Sequence, residues 1–202
     1  MKEETLTIRV TEAERKVLRK AASKNRIETA AAKYIFRRNT RDKATHVVGI
    51  IPCSAAKHQQ TAQAEFLYES QNFKAQLECA KSNCDEVLIL SAKHGLLSLD
   101  EWVEPYDVKM GTCSSEEITW QEVAHQVRDR FMVWNEETYS WEMPEGIDFD
   151  AWLPKKYHYK LQQAFYIGNL DFHPFNALED SQGIGEQKAM VKMMTQTPKE
   201  GQ

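Results

Sequence analysis

No stretch of this chain is apolar for longer than a strand, and no positively charged segment leads into a long apolar block. Neither a membrane-spanning helix nor a secretory leader is therefore expected, and the reading is of a folded, cytoplasmic protein with no membrane partner. Cysteine is scarce. Cys53, Cys79, Cys84 and Cys113 lack the paired C-x-x-C spacing of a zinc site, and a cytosolic chain seldom holds structural disulfides. The four are read as free thiols, with no metal and no cofactor expected. Eight glycines and six prolines in 202 residues are too few for a collagen-like or low-complexity chain, and no internal repeat is visible.

What is present is enough apolar material, 42% of residues, to bury the core of one medium domain with a smaller appendage. Charge divides the two parts. Residues 1–43 carry 13 Lys or Arg against 6 Asp or Glu, whereas the other 159 carry 13 against 24. A small basic end on an acidic body reads as an electrostatic footprint for nucleic acid, with a solvated basic helix as the plainer alternative.

Thr5-Leu6-Thr7-Ile8-Arg9-Val10 alternates strictly and predicts a half-buried strand. Thr11 stands three residues before Glu14 as a capping box, and Val17, Leu18, Ala21 and Ala22 follow at helical spacing until Ser23-Lys24-Asn25 breaks the pattern. A second helix, from about 29 to 38, would turn Ala30, Tyr34 and Ile35 inward. Strand, helix, turn and helix in 38 residues resemble the ribbon-helix-helix module of small DNA-binding repressors. The resemblance implies a homodimer paired through this strand, with Thr5, Thr7 and Arg9 reading base edges in DNA. The alternative is that the segment packs on the main domain. Residues 39–44 read as a linker and 193–202 as a frayed tail.

Residues 45–192 are expected to form an α/β domain, a Rossmann-like sheet of parallel strands with flanking helices. Two apolar runs, His46–Ile51 and Glu86–Leu90, are joined by a helical stretch from about 61 to 81, interrupted near Ser70-Gln71, with Phe66, Leu67, Phe73, Leu77 and Ala80 as its buried positions. That is a β-α-β unit, and such units almost always form crossovers between parallel strands. Residues 115–134 and 153–167 have helical spacing. The aromatic, acidic stretch 134–154 has no clear period and reads as a hairpin or an insertion.

Each apolar run ends in a reactive cluster, and in open α/β sheets ligands gather where strands end. Pro52-Cys53-Ser54-x-x-Lys57 offers a thiol, a hydroxyl and an ammonium, with Cys53 a candidate nucleophile and Ser54 and Lys57 candidate binding groups. Ser91-Ala92-Lys93-His94-Gly95 supplies His94 as a candidate base for Cys53, with Ser91, Lys93 and Gly95 as binding positions. Glu104-Pro105-Tyr106-Asp107 adds two carboxylates for base or charge-stabilising roles, and a phenol. His94 and Asp107 bonding each other to cap a turn is the structural alternative. Gly183-Ile184-Gly185 opens a last helix, where bare amides can meet a phosphate; an ordinary helix entry reads equally well.

These segments together with Leu67-Tyr68-x-Ser70-x-x-Phe73 resemble a family of largely uncharacterised bacterial and phage proteins. That family is distantly similar to the YaaA peroxide-stress proteins and to the core domain of archaeosine synthase, whose P-C-S-x-x-K stretch matches Pro52 to Lys57. The resemblance implies a domain that handles a nucleobase or nucleoside. His58-Gln59-Gln60 departs from the archaeosine pattern, so the substrate does not carry over. The expectation is a DNA-associated enzyme that cleaves, exchanges or modifies a base or nucleotide. Its rivals are a regulator whose α/β body senses a nucleotide-like ligand, and a phage accessory protein that binds a host protein through its aromatic region.

Overall fold

The computed structural model describes residues 12–43, 45–167 and 174–197. In chain order the first elements are α1 (Glu12–Thr40), β1 (His46–Pro52), β2 (Ala62–Gln63), α2 (Ala64–Leu67), α3 (Gln71–Asn83), β3 (Glu86–Ser91), β4 (Gly95–Ser98) and β5 (Trp102–Val103). There follow α4 (Trp120–Phe131), β6 (Val133–Asn135), β7 (Ser140–Glu142), β8 (Ile147–Ala151), α5 (Lys155–Ile167), β9 (Phe175–Asn176) and α6 (Ile184–Gln196).

Five strands form the main sheet in the order β4-β3-β1-β8-β9. β1 is parallel to both β3 and β8, β8 is parallel to β9, and β4 folds back antiparallel on β3. The fold is thus mixed α/β with a mostly parallel sheet, as its two apolar runs require. Past the first residue of each strand they are buried on both faces, as strands covered by helices on each side must be. Gly49 lets α3 close on the sheet, since a Cβ there would meet the Cys84 Sγ at 2.9 Å.

Successive residues of a strand point to opposite faces, and β8 shows which helices lie where. Phe149 meets Phe131 of α4 and Phe165 of α5 edge-on, at centroid separations of 5.1 and 5.5 Å. Asp148 and Asp150 point the other way, to α1, which packs on α6 and, through it, beside α3. The helices therefore form two layers around the sheet.

Several expectations are corrected. α1 is one helix of 29 residues, and Ser23-Lys24-Asn25 does not break it. Those residues are polar because this stretch faces solvent or α6: Ser23 bonds Glu186 and Lys24 pairs with Glu28. Ala30 and Tyr34 are buried as anticipated. The segment from 39 is not a free linker, since the helix runs through Thr40 and Arg41 is ion-paired. The Thr5–Val10 strand and the Thr11 cap lie outside the described residues. Phe66 is 63% exposed rather than buried, because α2 is a single turn and Ser70 starts a new helix, its Oγ accepting from the Phe73 N–H. Residues 133–142 do form a hairpin, β6-β7, but the 134–154 stretch also holds an inner strand of the sheet, β8.

That strand was hidden by its carboxylates. Arg37 Nη2 reaches both oxygens of Asp148 at 2.5 and 2.6 Å, Arg41 Nε reaches Asp148 at 2.9 Å, and Arg37 Nε and Arg41 Nη2 reach Asp150 Oδ1 at 3.2 and 2.7 Å. The Asp150 side chain is fully buried. Removing one partner of such a pair leaves an uncompensated buried charge, at a cost of about 3–5 kcal/mol. Asp150→Ala is accordingly expected to lower the urea unfolding free energy by about that amount, and a loss under about 1 kcal/mol would show that the cluster is not what seats α1 on β8.

Candidate functional site

The loop after β1 is stitched in place by backbone bonds. The Cys53 N–H donates to the Leu90 carbonyl, His58 N–H to Leu67 and Glu69 N–H to Ala56, while the Ser54 hydroxyl donates to the Ala56 carbonyl. Lys57 and Tyr68 form an isolated antiparallel bridge. Each residue of Leu67-Tyr68-x-Ser70-x-x-Phe73 has a part in this: Leu67 is core, Ser70 caps α3, and the Phe73 ring packs 5.1 Å from that of Tyr68.

Tyr68, Tyr106 and Ser91 meet at the ends of β1 and β3. Tyr106 Oη lies 2.8 Å from both Tyr68 Oη and Ser91 Oγ. Ser91 Oγ also accepts the backbone N–H groups of Lys93, at 3.1 Å, and His94, at 2.9 Å. A serine hydroxyl has two lone pairs and one hydrogen, so with both lone pairs taken its hydrogen goes to Tyr106. The two tyrosines then share one further bond between two phenolic hydrogens, and one of these is left for another acceptor. Burial pushes the Tyr68 and Tyr106 hydroxyls well above the ordinary phenol range, so both keep their protons.

Lys57 Nζ sits 4.2 Å from the centre of the Tyr106 ring and 5.8 Å from that of Tyr68, a cation–π placement. Burial lowers its pKa, opposed by the charges of Cys53 and Asp107. Cys53, 8% exposed, places its Sγ 3.1 Å from the Tyr157 Oη at the start of α5. Beside Cys53 opens a cavity of about 460 Å³, bounded by the loop after β1, the N-terminal turns of α3 and α6, and Pro154 and Tyr157 after β8. It sits between β1 and β8, where the chain has left β1 first toward β3 and later toward β9. This is the reversal of strand order at which open α/β sheets bind ligands. On the other side of the loop, Lys57, His58 and Glu69 border a polar cleft of about 430 Å³.

Of the residues singled out in the sequence, Cys53, Lys57, Ser91 and Tyr106 come together, and Ser54 lines the cavity. His94 stacks edge-on against Tyr106 at 5.1 Å, with burial and then Lys93 lowering its pKa, so the imidazole is held neutral. Among the described residues no hydrogen bond joins His94 to Asp107. Asp107 and Glu104 are exposed, and Asp107 acts on the cluster through its charge on Lys57. Lys93 pairs with Glu116. Gly95 serves the β3-β4 turn: its φ is +74°, and the Gln126 side chain, which accepts from Leu96 N–H and donates to the His94 carbonyl, fills the space a Cβ would need.

Gly183 and Gly185 open α6 with free space where a Cβ would be, so no close approach demands them. Nor is that helix end bare. Glu186 accepts from Arg26, Ser23 and the Gln182 N–H, and these bonds, Arg26 foremost, draw its pKa from 4.5 to about 2. Tyr68 and Tyr157 entered no sequence-based site. Tyr68 stood in a motif without a role, and Tyr157 follows the strand that the sequence concealed. Thr5, Thr7 and Arg9 lie outside the described residues. Among the described residues no three His, Cys, Asp or Glu side chains are gathered as metal ligands would be, and no helix is long and apolar enough to cross a membrane.

Residues 48–142 match the model of a family of unknown function, DUF6884. The match covers just under half of the chain, from β1 to the β6-β7 hairpin. It therefore takes in Cys53, Lys57, Tyr68, Ser91 and Tyr106, and leaves out β8, Tyr157 and α6. No curated protein and no solved structure gives a match. The likeness to the YaaA and archaeosine synthase proteins rests on the quoted motifs alone.

The depressed pKa of Glu186 fixes a sign for acid stability. A carboxylate whose pKa falls on folding contributes stability that is full above its unfolded pKa and is lost as pH drops through the folded one. Wild-type protein is expected to lose stability between pH 4.5 and about 2 at this site, and Glu186→Gln to flatten that part of the profile in urea titrations at stepped pH. An unchanged profile in the variant would show that the Arg26–Glu186 contact is absent in solution.

Proposed function

We propose that this chain is a nucleic-acid-associated enzyme that cleaves, exchanges or modifies a nucleobase or nucleotide at the ends of β1 and β3. The observation that carries the reading is Cys53: a thiol at the strand reversal, 3.1 Å from a phenol, beside a lysine of lowered pKa and on the wall of a cavity of about 460 Å³. Cavities of roughly 300–1,000 Å³ suit small molecules and single nucleotides.

The roles follow from the chemistry of each group. Burial lowers the pKa of Lys57, which makes its amine a better proton acceptor near neutral pH than a surface lysine. The Cys53 proton passes to that amine, and the sulfur lone pair forms a bond to an electrophilic carbon of the base or of the sugar. On the base, a ring π bond breaks and its electron pair moves to a ring nitrogen or carbonyl oxygen. On the sugar, the glycosidic bond breaks and the base leaves with the pair. Negative charge that develops on the substrate meets the uncommitted phenolic hydrogen of the Tyr68–Tyr106 pair. Neutral His94 orients Tyr106 through its ring edge, Ser54 lines the cavity, and Asp107 acts through its charge on Lys57.

The nucleic-acid half of the reading rests on charge. From Arg26 onward the basic residues of α1 are spent on the body, with Arg26 on Glu186, Lys33 on Asp180 and Arg37 and Arg41 on Asp148 and Asp150. Before that, Arg15, Lys16, Arg19, Lys20 and Lys24 are exposed, with Arg15 paired to Glu12 and Lys24 to Glu28 of the same helix. Five exposed cations along this half of the helix suit a phosphate backbone. The same connection of a basic helix to the sheet supports the second reading, a DNA-binding regulator whose body senses a ligand.

Purified protein incubated with single- and double-stranded DNA and with a nucleoside and nucleotide panel is expected to give a released or altered base by mass spectrometry. Cys53→Ala and Lys57→Met are expected to lower turnover by about 10²-fold or more while the fold persists. Turnover unchanged in both variants would overturn the site. No turnover beside salt-sensitive, sequence-selective DNA binding would replace the enzyme with the regulator.

A further inference from the structure

The cavity beside Cys53 has a polar end. Gln76, from the middle of α3, lines it and is fully buried, with its Nε2 donating to the Trp152 carbonyl at 3.1 Å and its Oε1 without a partner. The amide's orientation is fixed by that contact, because a carbonyl only accepts and a flipped Gln76 would set oxygen against oxygen. One turn earlier on the same helix Asn72 also lines the cavity, and its buried Oδ1 likewise has no partner. Buried acceptors are nearly always satisfied, and leaving two of them open on one wall is costly unless something arrives to bond them.

Among the described residues none donates to either oxygen. Ser70 Oγ accepts from the Phe73 N–H, and Gln187, across the cavity, donates from its Nε2 to the Ser181 hydroxyl. A ligand that takes up the cavity bonds these oxygens only by supplying hydrogens of its own. They stand four residues apart on one face of a helix, and the oxygen of Gln76 is the one whose orientation is fixed.

We infer that the Gln76 and Asn72 oxygens select a ligand that presents an NH₂ group, so that the site, granted the nucleobase reading above, prefers an amino-bearing base such as adenine, guanine or cytosine to the analogue without that group. A keto oxygen in the place of the amino group would set a third acceptor against these two, and the ring N–H that inosine and uridine carry beside it offers one hydrogen where the amino group offers two. Sites built to hydrogen-bond a substrate group discriminate strongly against the analogue that lacks it.

The test is calorimetric binding of wild-type protein to matched pairs that differ in one amino group. The pairs are adenosine with inosine, guanosine with inosine and cytidine with uridine, each repeated as the base within a short single-stranded oligonucleotide. The amino member of at least one pair is expected to bind tenfold or more tightly, and Gln76→Met, which keeps the length of the side chain but has no acceptor oxygen, to erase the difference. Asn72→Leu, at a less buried position, is a second variant that does not disturb the Trp152 contact. Equal affinity within every pair, or preference for the keto member, would overturn the selection while leaving the nucleobase site standing. No binding by any nucleoside or oligonucleotide would overturn both.

Discussion

Asp150 sits in a strand at the middle of the sheet with its side chain sealed from water, and one whole side of the molecule depends on the two guanidiniums that meet it. A buried ion costs several kcal/mol in lost hydration, which only well-placed partners offset. Arg37 lies in the last turn of α1 and Arg41 just past its end, tied back by its N–H to the Arg37 carbonyl, so they reach two carboxylates that are two residues apart on one strand face. Without that match β8 could not lie beside β1. Without β8 there would be no reversal of strand order, no Tyr157 against Cys53, and no wall opposite α3 to enclose the cavity.

The other side of β1 is held by a different kind of constraint, the counting of hydrogens. Ser91 closes the turn after β3 by accepting two backbone N–H groups, which commits its own hydrogen to Tyr106. The tyrosines inherit a surplus donor from a turn. Burial keeps both phenols protonated, so the surplus is a donor poised at neutral pH. Across the loop the opposite imbalance appears, with the oxygens of Gln76 and Asn72 unpartnered among the described residues. The loop after β1 thus separates a cluster with a spare donor from a cavity wall with spare acceptors.

Much of this was legible in the sequence, and the reasons for the rest are physical. The two apolar strands and the clusters after them were readable because strands buried on both faces are continuous apolar runs. Cys53, Lys57, Ser91 and Tyr106 follow from their ends. β8 was not, because Ile147-Asp148-Phe149-Asp150-Ala151 alternates as a half-exposed strand would, whereas its polar face is covered by arginines from more than a hundred residues earlier. Tyr157 was lost with it. The continuity of α1 was obscured by Ser23-Lys24-Asn25, which has the polarity of a turn but contains neither glycine nor proline, so nothing in its backbone chemistry opposes a helix. Gln76 carries no local signal at all. A glutamine on a helix face is ordinary until the sheet closes over it.

The charge asymmetry of the chain takes on a different meaning once the ion pairs are placed. An excess of basic residues at one end looked like a single surface, but the structure divides it at the point where α1 meets α6. The C-terminal half of the excess is an internal adhesive, neutralised by Glu186, Asp180, Asp148 and Asp150, and it contributes little field to the outside. From Arg15 to Lys24 the cations of α1 are exposed. One helix therefore joins an exposed basic segment to the strand that walls the site. A polyanion held on that segment would lie on the same stiff element that fixes Asp150, two residues before Trp152, whose carbonyl orients Gln76. The two ends of the proposed site are thus mechanically continuous, through a helix, an ion-pair cluster and a single strand.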